Sequence, residues 1–169
     1  MSMVHVKGLK ELNAALQTIA PRLERNVLRG ALRAGAKDAI LPEAKVQLAA
    51  NGSVKTGELQ RGLKVSTGGK GGRVIANVKV TGKHAHVAPW LEYGVAAHTI
   101  TAKKSGWLSF GGLFAKSVEH PGFAAKPFMR PALDGKATEA VVKAAEYMKK
   151  RLATKHGIDT ADINIEAET

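Results

Sequence analysis

The stretch PRLERNVLRGALRAGAK, residues 21–37, decides the fold because its pattern predicts a long amphipathic helix. Basic side chains recur in it at spacings of three and four, and at about 100° per residue they cover one face while apolar side chains lie towards the other. These bases are Arg22, Arg25, Arg29, Arg33 and Lys37. The helix is expected to continue to about residue 50, with a kink or restart at Pro42, because proline lacks the N–H that a helix interior needs.

Helical and strand patterns alternate outward from this stretch. A shorter helix is predicted over residues 9–20, where leucines recur at helical spacing. Residues 63–67 and 73–80 are typical of two strands, joined by the glycine-rich turn at 68–72. A final helix is predicted from about residue 130 to 155.

Residues 95–122 indicate an extended, glycine-rich excursion with short strand signals and few apolar residues that point one way. The predicted fold class is therefore α+β, with a long N-terminal helix and a C-terminal helix packed on an antiparallel sheet, plus this hairpin-like excursion. One domain is expected over residues 1–156, followed by an acidic tail at 157–169. The excursion is expected to order by packing on an adjacent subunit or partner protein.

The charge balance favours an anionic partner. The 169 residues carry 26 Lys and Arg against 14 Asp and Glu, a net charge of +12. Four of the acids lie in residues 159–169, which leaves 26 bases against 10 acids elsewhere. Nucleic acid is the commonest partner of such a surface, and a solubilising surface is the alternative. The arginine face has the same two interpretations: a track along phosphates, or a solvated face whose long side chains shield the core.

Several classes of protein are excluded or disfavoured. The absence of cysteine excludes disulfides, thiolate metal sites and a cysteine nucleophile. No apolar run approaches the roughly 20 residues of a membrane span, and residues 1–6 do not resemble a signal peptide. A protein made and kept in a cytoplasm, without a membrane partner, is therefore expected.

No pattern in the sequence predicts catalysis or a cofactor. The glycines at 68–72 lead into a strand rather than a helix, so a hairpin turn is favoured over a phosphate loop. His84 and His86 could share a strand face as two metal ligands, but no third and fourth ligand accompanies them, and exposed turn histidines are expected instead. Neither Gly-x-Ser-x-Gly nor His-Glu-x-x-His is present.

Three motifs then carry a family resemblance. Residues 54–63, VKTGELQRGL, follow the long helix and contain Thr56, Gly57 and Leu59. Residues 90–94, WLEYG, are Trp90, Leu91, Glu92, Tyr93 and Gly94. Residues 120–122, HPG, precede AKPFMRPAL at 125–133, which contains Pro127, Phe128, Arg130 and Pro131. Together they resemble the gene-ten-product-like tail-component family of lambda-like tailed phages, which is related to the minor tail protein Z group.

The resemblance extends over about residues 7–155, with Gly62 where the family usually has serine and an acidic tail that has no counterpart. The motifs also make physical sense. Phe128 is expected to be an apolar anchor, Arg130 a forked donor to a carboxylate or to main-chain carbonyls, and Pro131 a helix-starting residue. Trp90 and Tyr93 are three residues apart and should project one way, towards a neighbouring subunit or, as the preferred expectation, the core.

The resemblance implies a non-enzymatic virion protein, assembled in the host cytoplasm, that completes the tail or joins head and tail in the neck. It implies a ring around the DNA channel, a hexamer or else a dodecamer, in contact with neck, tail-terminator, tail-tube or head-closure proteins. The arginine face or the lysine-rich loops would then meet phage DNA through non-specific electrostatics. The alternative from another class is a sequence-independent nucleic-acid-binding protein, and a hydrolase or toxin that uses the histidines is a third.

Overall fold

A computed structural model describes residues 6–19, 21–54, 56–69, 73–103 and 106–167, without the side chains of Pro21 and Arg22. The helices are α1 Leu9–Gln17, α2 Pro21–Gly35, α3 Leu41–Ala50, α4 Glu58–Gly62, α5 Val87–Tyr93 and α6 Met129–His156. The strands are β1 Leu63–Gly68, β2 Ile75–Val80, β3 His98–Thr101, β4 Leu108–Phe110, β5 Leu113–Ala115 and β6 Ser117–His120. The predicted α+β class is confirmed. The strands pair as three separate two-stranded antiparallel sheets: β1–β2, β3–β6 and β4–β5.

The long N-terminal helix is interrupted by one π-helical turn, Ala36–Ile40, between α2 and α3. The break that the sequence predicts at Pro42 thus lies just before that residue. Proline cannot donate to the carbonyl four residues back, and its ring crowds that carbonyl. The wider turn, in which the Leu41 N–H bonds to the Ala36 carbonyl, moves the chain into a new helical register before the proline.

α2 packs closely along α6 at two glycines. A Cβ atom on Gly35 would lie 2.2 Å from the Ala140 carbonyl oxygen, which is much closer than van der Waals contact. A Cβ on Gly30 would lie 2.6 Å from the Tyr147 ring. The two helices can approach this closely only because neither position carries a side chain.

α6 serves two hydrophobic clusters. Its N-terminal end joins α3, β1 and α5 around the buried Phe128, Leu48 and Leu63. Its C-terminal half joins α1 and α2 around Leu12, Leu16, Val27, Ala145 and Leu152.

The segment after α6 packs on the second cluster. Ile158, Ile163 and Ile165 contact that cluster, and Thr160 is only 3% exposed. Lys149 Nζ donates to the Ile163 carbonyl at 2.6 Å. Asp159, Asp162 and Glu166 are exposed on this packed segment.

The excursion between residues 95 and 122 projects apolar side chains into solvent. An isolated bridge between Val95 and Phe123 closes its base. β5 and β6 follow each other closely in the excursion but belong to different sheets. Its exposed apolar side chains are Ile100, Trp107, Phe110, Leu113 and Phe114.

The close approach of α2 to α6 at Gly35 can be tested by its effect on stability. We expect Gly35→Ala to lower the free energy of unfolding by about 1–3 kcal/mol, because the added methyl group must push α6 away. Gly135→Ala is the control, since it lies on α6 with nothing within 4 Å of the new Cβ, and should stabilise by about 0.5–1 kcal/mol. Urea denaturation of both variants measures this, and a Gly35→Ala protein as stable as the parent would contradict it.

Candidate functional site

The three sequence motifs meet at one junction. Phe128 from the third motif is fully buried, and Leu59 and Leu91 from the first and second pack against the same cluster. A pocket of about 450 Å³ lies beside the junction. Its walls include Val54, Thr56, Leu59, Val87, Leu91 and Phe123.

Glu92 is the central polar group of the junction. Its side chain is buried at the start of α6, where it accepts hydrogen bonds from three consecutive backbone N–H groups. Phe128 and Met129 donate to Oε2 at 2.9 and 3.0 Å, and Arg130 donates to Oε1 at 3.0 Å. The first N–H groups of a helix have no partner within it, so this carboxylate caps α6 from another helix.

The environment keeps Glu92 ionised. Burial alone raises the pKa of this carboxyl group, but the hydrogen bonds from the N–H groups of Met129, Phe128 and Arg130 and from the Arg130 side chain outweigh it. The pKa of Glu92 therefore lies below its ordinary value of 4.5. A charged cap is the form that the positive end of the helix dipole stabilises.

Arg130 makes the forked contact that its sequence context predicts. Its Nε donates to Glu92 Oε1 at 3.1 Å, and its Nη2 donates to the Glu92 carbonyl oxygen at 2.9 Å. The guanidinium also lies over the Tyr93 ring, 5.0 Å from its centroid. Pro131 is the third residue of α6, where a missing N–H costs no helical bond.

Backbone contacts hold the second and third motifs together. Gly94 has a φ of 75°, and a Cβ there would lie 2.8 Å from the Ala125 nitrogen, so this position requires glycine. The Lys126 N–H donates to the Leu91 carbonyl at 2.7 Å. Asn51, at the end of α3, donates its side-chain amide to the carbonyls of Lys126 and Pro127.

The first motif turns the chain into β1, as predicted. Gly57 has a φ of 73° and begins α4, and its carbonyl accepts from the Arg61 N–H. Thr56 is exposed, with its hydroxyl 3.5 Å from the Glu58 nitrogen. The side chain of Glu58 pairs with His84 at 2.5 Å, on the rim of the pocket.

Trp90 and Tyr93 are not core residues, so that preferred expectation is wrong for the single chain. Trp90 is 50% exposed and Tyr93 71% exposed. α5 turns its small Ala88 and the capping Glu92 inward, which leaves the two aromatic rings outside. Contact with a neighbouring subunit, the other expectation for these two residues, stays a prediction.

The basic face of α2 is exposed as the periodicity predicts. Arg25, Arg29, Arg33 and Lys37 point to solvent, while Val27 and Ala31 are buried. The side chain of Arg22 lies outside the described residues. Within the described part of the chain, Arg29, Arg33 and Lys37 form no ion pair.

Four of the described histidines lie in two pairs. The rings of His84 and His86 are 6.3 Å apart, and His98 and His120 stack across β3 and β6 at 5.0 Å. Among the described residues, no group of three or more histidine, aspartate or glutamate side chains could hold a metal ion. Over the same residues, no helix combines the length and the apolar character that crossing a membrane requires.

Sequence reasoning missed the cap made by Glu92. Other acids pair with a lysine on their own helix, as Glu139 does with Lys136 and Glu146 with Lys143. Glu92 differs in being the single charged residue of the segment VAPWLEY. A lone acid in an otherwise uncharged short helix was the available signal.

The cap can be tested by Glu92→Gln. We expect a loss of roughly 1–3 kcal/mol in the free energy of unfolding, because the amide cannot accept all four donors and Arg130 loses its counter-ion. Glu139→Gln, which removes an exposed carboxylate from a pair within α6, should change it little. Equal denaturation midpoints for the two variants would contradict the role of the cap.

The lowered pKa of Glu92 gives this effect a pH dependence. The folded state binds the proton more weakly than the unfolded state, so the contribution of Glu92 is complete above about pH 4.5 and is lost as the pH falls towards the lowered value. The stability difference between the parent protein and Glu92→Gln should therefore narrow as the pH falls below about 4.5. Denaturation curves at several pH values measure it, and a constant difference would refute the assignment.

A comparison with protein families gives one match. The family model described as "Bacteriophage HK97-gp10, putative tail-component" matches residues 10–94, half of the chain. The matched region contains the first two motifs and ends at Gly94, before the third. A search of curated proteins and a search of solved structures each found no significant match.

Proposed function

The chain belongs to the HK97 gp10-like family of bacteriophage tail components, and from this premise we propose that it completes the tail or joins head and tail as a ring in the neck. Family membership makes it a structural protein of a tailed-phage virion. The finer assignment, to the neck and to the group that resembles the lambda-like gene-ten products and minor tail protein Z, is part of the proposal. The family match is the observation on which the proposal rests.

The surface supports assembly as the function. Trp90 and Tyr93 on α5 are exposed, as are the aromatic residues of the excursion. Tyr, Trp and Phe are enriched at protein–protein interfaces, so exposed aromatic side chains of this kind suit subunit contacts. The apolar excursion of one subunit would pack on a different surface of the next, and head-to-tail contacts of this kind close into rings.

The proposed ring is a hexamer, or a dodecamer where it meets portal-side components. Its neighbours along the axis would be other neck, tail-terminator, tail-tube or head-closure proteins. The exposed bases Arg29 and Arg33 of α2 and Lys37 of the π-helical turn suit a wall that faces packaged DNA without reading its sequence.

A free nucleic-acid-binding protein is the second candidate, favoured by the same exposed bases. The two candidate functions predict different locations of the chain and different affinities of the isolated chain for DNA. A neck protein remains with purified virions and binds DNA weakly at physiological salt, whereas the second candidate binds tightly as an isolated chain.

Image reconstruction of the intact virion tests the proposal directly. We expect a closed ring of this chain, coaxial with the DNA channel, between the portal and the tail tube. Density for the chain elsewhere on the particle, or its absence from purified virions, would overturn the proposal.

The excursion offers a second test. We expect the double variant Leu113→Ser and Phe114→Ser to fold normally, because these side chains are 65% and 68% exposed, yet to fail in assembly. Val46→Ser is the control, since Val46 is 59% exposed on α3. Circular dichroism measures folding, and complementation of a phage that lacks the gene measures assembly. Normal particle yield from the double variant would contradict this role of the excursion.

A further inference from the structure

A second basic surface lies on the outer face of the β1–β2 sheet, on different elements from the α2 face. In the register of this sheet Lys64 is directly opposite Lys79. Side chains alternate along a strand, so Val78 and Val80 turn to the core while both lysines lie on the exposed face. Two like charges therefore share one cross-strand position.

This arrangement is unfavourable for the isolated chain. Like charges directly opposite each other in an antiparallel pair are destabilising. The next pairs on the same face are Ser66 with Asn77 and Gly68 with Ile75, and neither contains an acid. In the part of the chain that the structure describes, neither lysine forms an ion pair.

A concave surface of about 380 Å³ continues from Lys64 at the end of the sheet. Arg61 and Lys83 also line it, and among the described residues neither forms an ion pair. Its acid, Glu58, is engaged by His84. Three permanent cations and one carboxylate thus surround the hollow, which leaves it with a net positive charge.

We infer that the basic hollow of Arg61, Lys64 and Lys83, together with Lys79 opposite Lys64 on the adjoining sheet face, binds the phosphate backbone of duplex DNA. Arginine and lysine side chains are the usual partners of phosphate oxygens. Among the described residues of the lining, the one aromatic ring is that of His84, which pairs with Glu58, and no Phe, Tyr or Trp is present to stack on a base. Binding is therefore independent of sequence and strongly dependent on salt.

The inference deepens the proposed function, since it assigns a DNA-facing surface of the ring, but it concerns the isolated chain and can be tested without a ring. The test uses the purified full chain and a fluorescent duplex of mixed sequence, with anisotropy measured over a series of KCl concentrations. The variant is Lys64→Gln with Lys79→Gln. The control is Lys136→Gln with Lys143→Gln, which removes the same charge from two lysines that pair with Glu139 and Glu146.

The variant should bind less tightly at each salt concentration. A plot of the logarithm of the association constant against the logarithm of the salt concentration should become shallower, its slope smaller in magnitude by roughly two, because each phosphate contact contributes about 0.9 to that magnitude. The control should change the slope much less. The midpoint of thermal unfolding of the variant should stay the same or rise, because the repulsion between the two lysines is removed.

Four results would overturn the inference: no binding by the parent chain at low salt, equal slopes for variant and control, a lower unfolding midpoint for the variant, or tighter binding of polyglutamate than of DNA. The last would assign the hollow to an acidic protein surface. A ring in the virion with unchanged DNA binding by the variant refutes this inference alone. Salt-dependent binding that the variant weakens, with no ring in the virion, refutes the proposed function alone.

Discussion

The structure depends on one buried carboxylate. Glu92 satisfies three backbone N–H groups at the start of α6 and holds the side chain of Arg130. Neither the Glu92 carboxylate nor the start of α6 is stable without the other, because a buried charge needs hydrogen-bond donors and an uncapped helix start needs acceptors. This mutual requirement fixes α5 against α6 and brings together two motifs that are far apart in the chain.

The consequences extend along the whole of α6, because both hydrophobic clusters share it. Its first turn supplies Ala132 to the cluster around Phe128, and its last turns supply Leu152 to the cluster that includes α1. Between them, Gly35 brings α2 into contact with the backbone of α6. The cap therefore fixes the position of α6, and the other helices that pack on α6 are aligned by it.

Much of this fold follows from local pattern. The helix predicted at 130–155 is Met129–His156, the apolar segment at 87–93 is a helix, and the strands at 63–67 and 73–80 pair as expected. The features that local pattern did not predict depend on contacts between residues far apart in the sequence. Glu92 and Phe128 are 36 residues apart, the outward orientation of Trp90 follows from that cap, and the division into three small sheets follows from pairings across loops. The functional prediction depended on the family resemblance. The family match confirms that the chain is a phage tail component.

The bridge between Val6 and Ala167 has a topological consequence. It places the two extremities of the described chain side by side on the second cluster, so the backbone traces an almost closed circuit. Such a chain suits circular permutation: a short linker can join the neighbouring ends, and new ends can be opened elsewhere while the other strand pairings stay in place. The glycines at 111 and 112, at the tip of the excursion, are the natural point to reopen it, since no packed element crosses there.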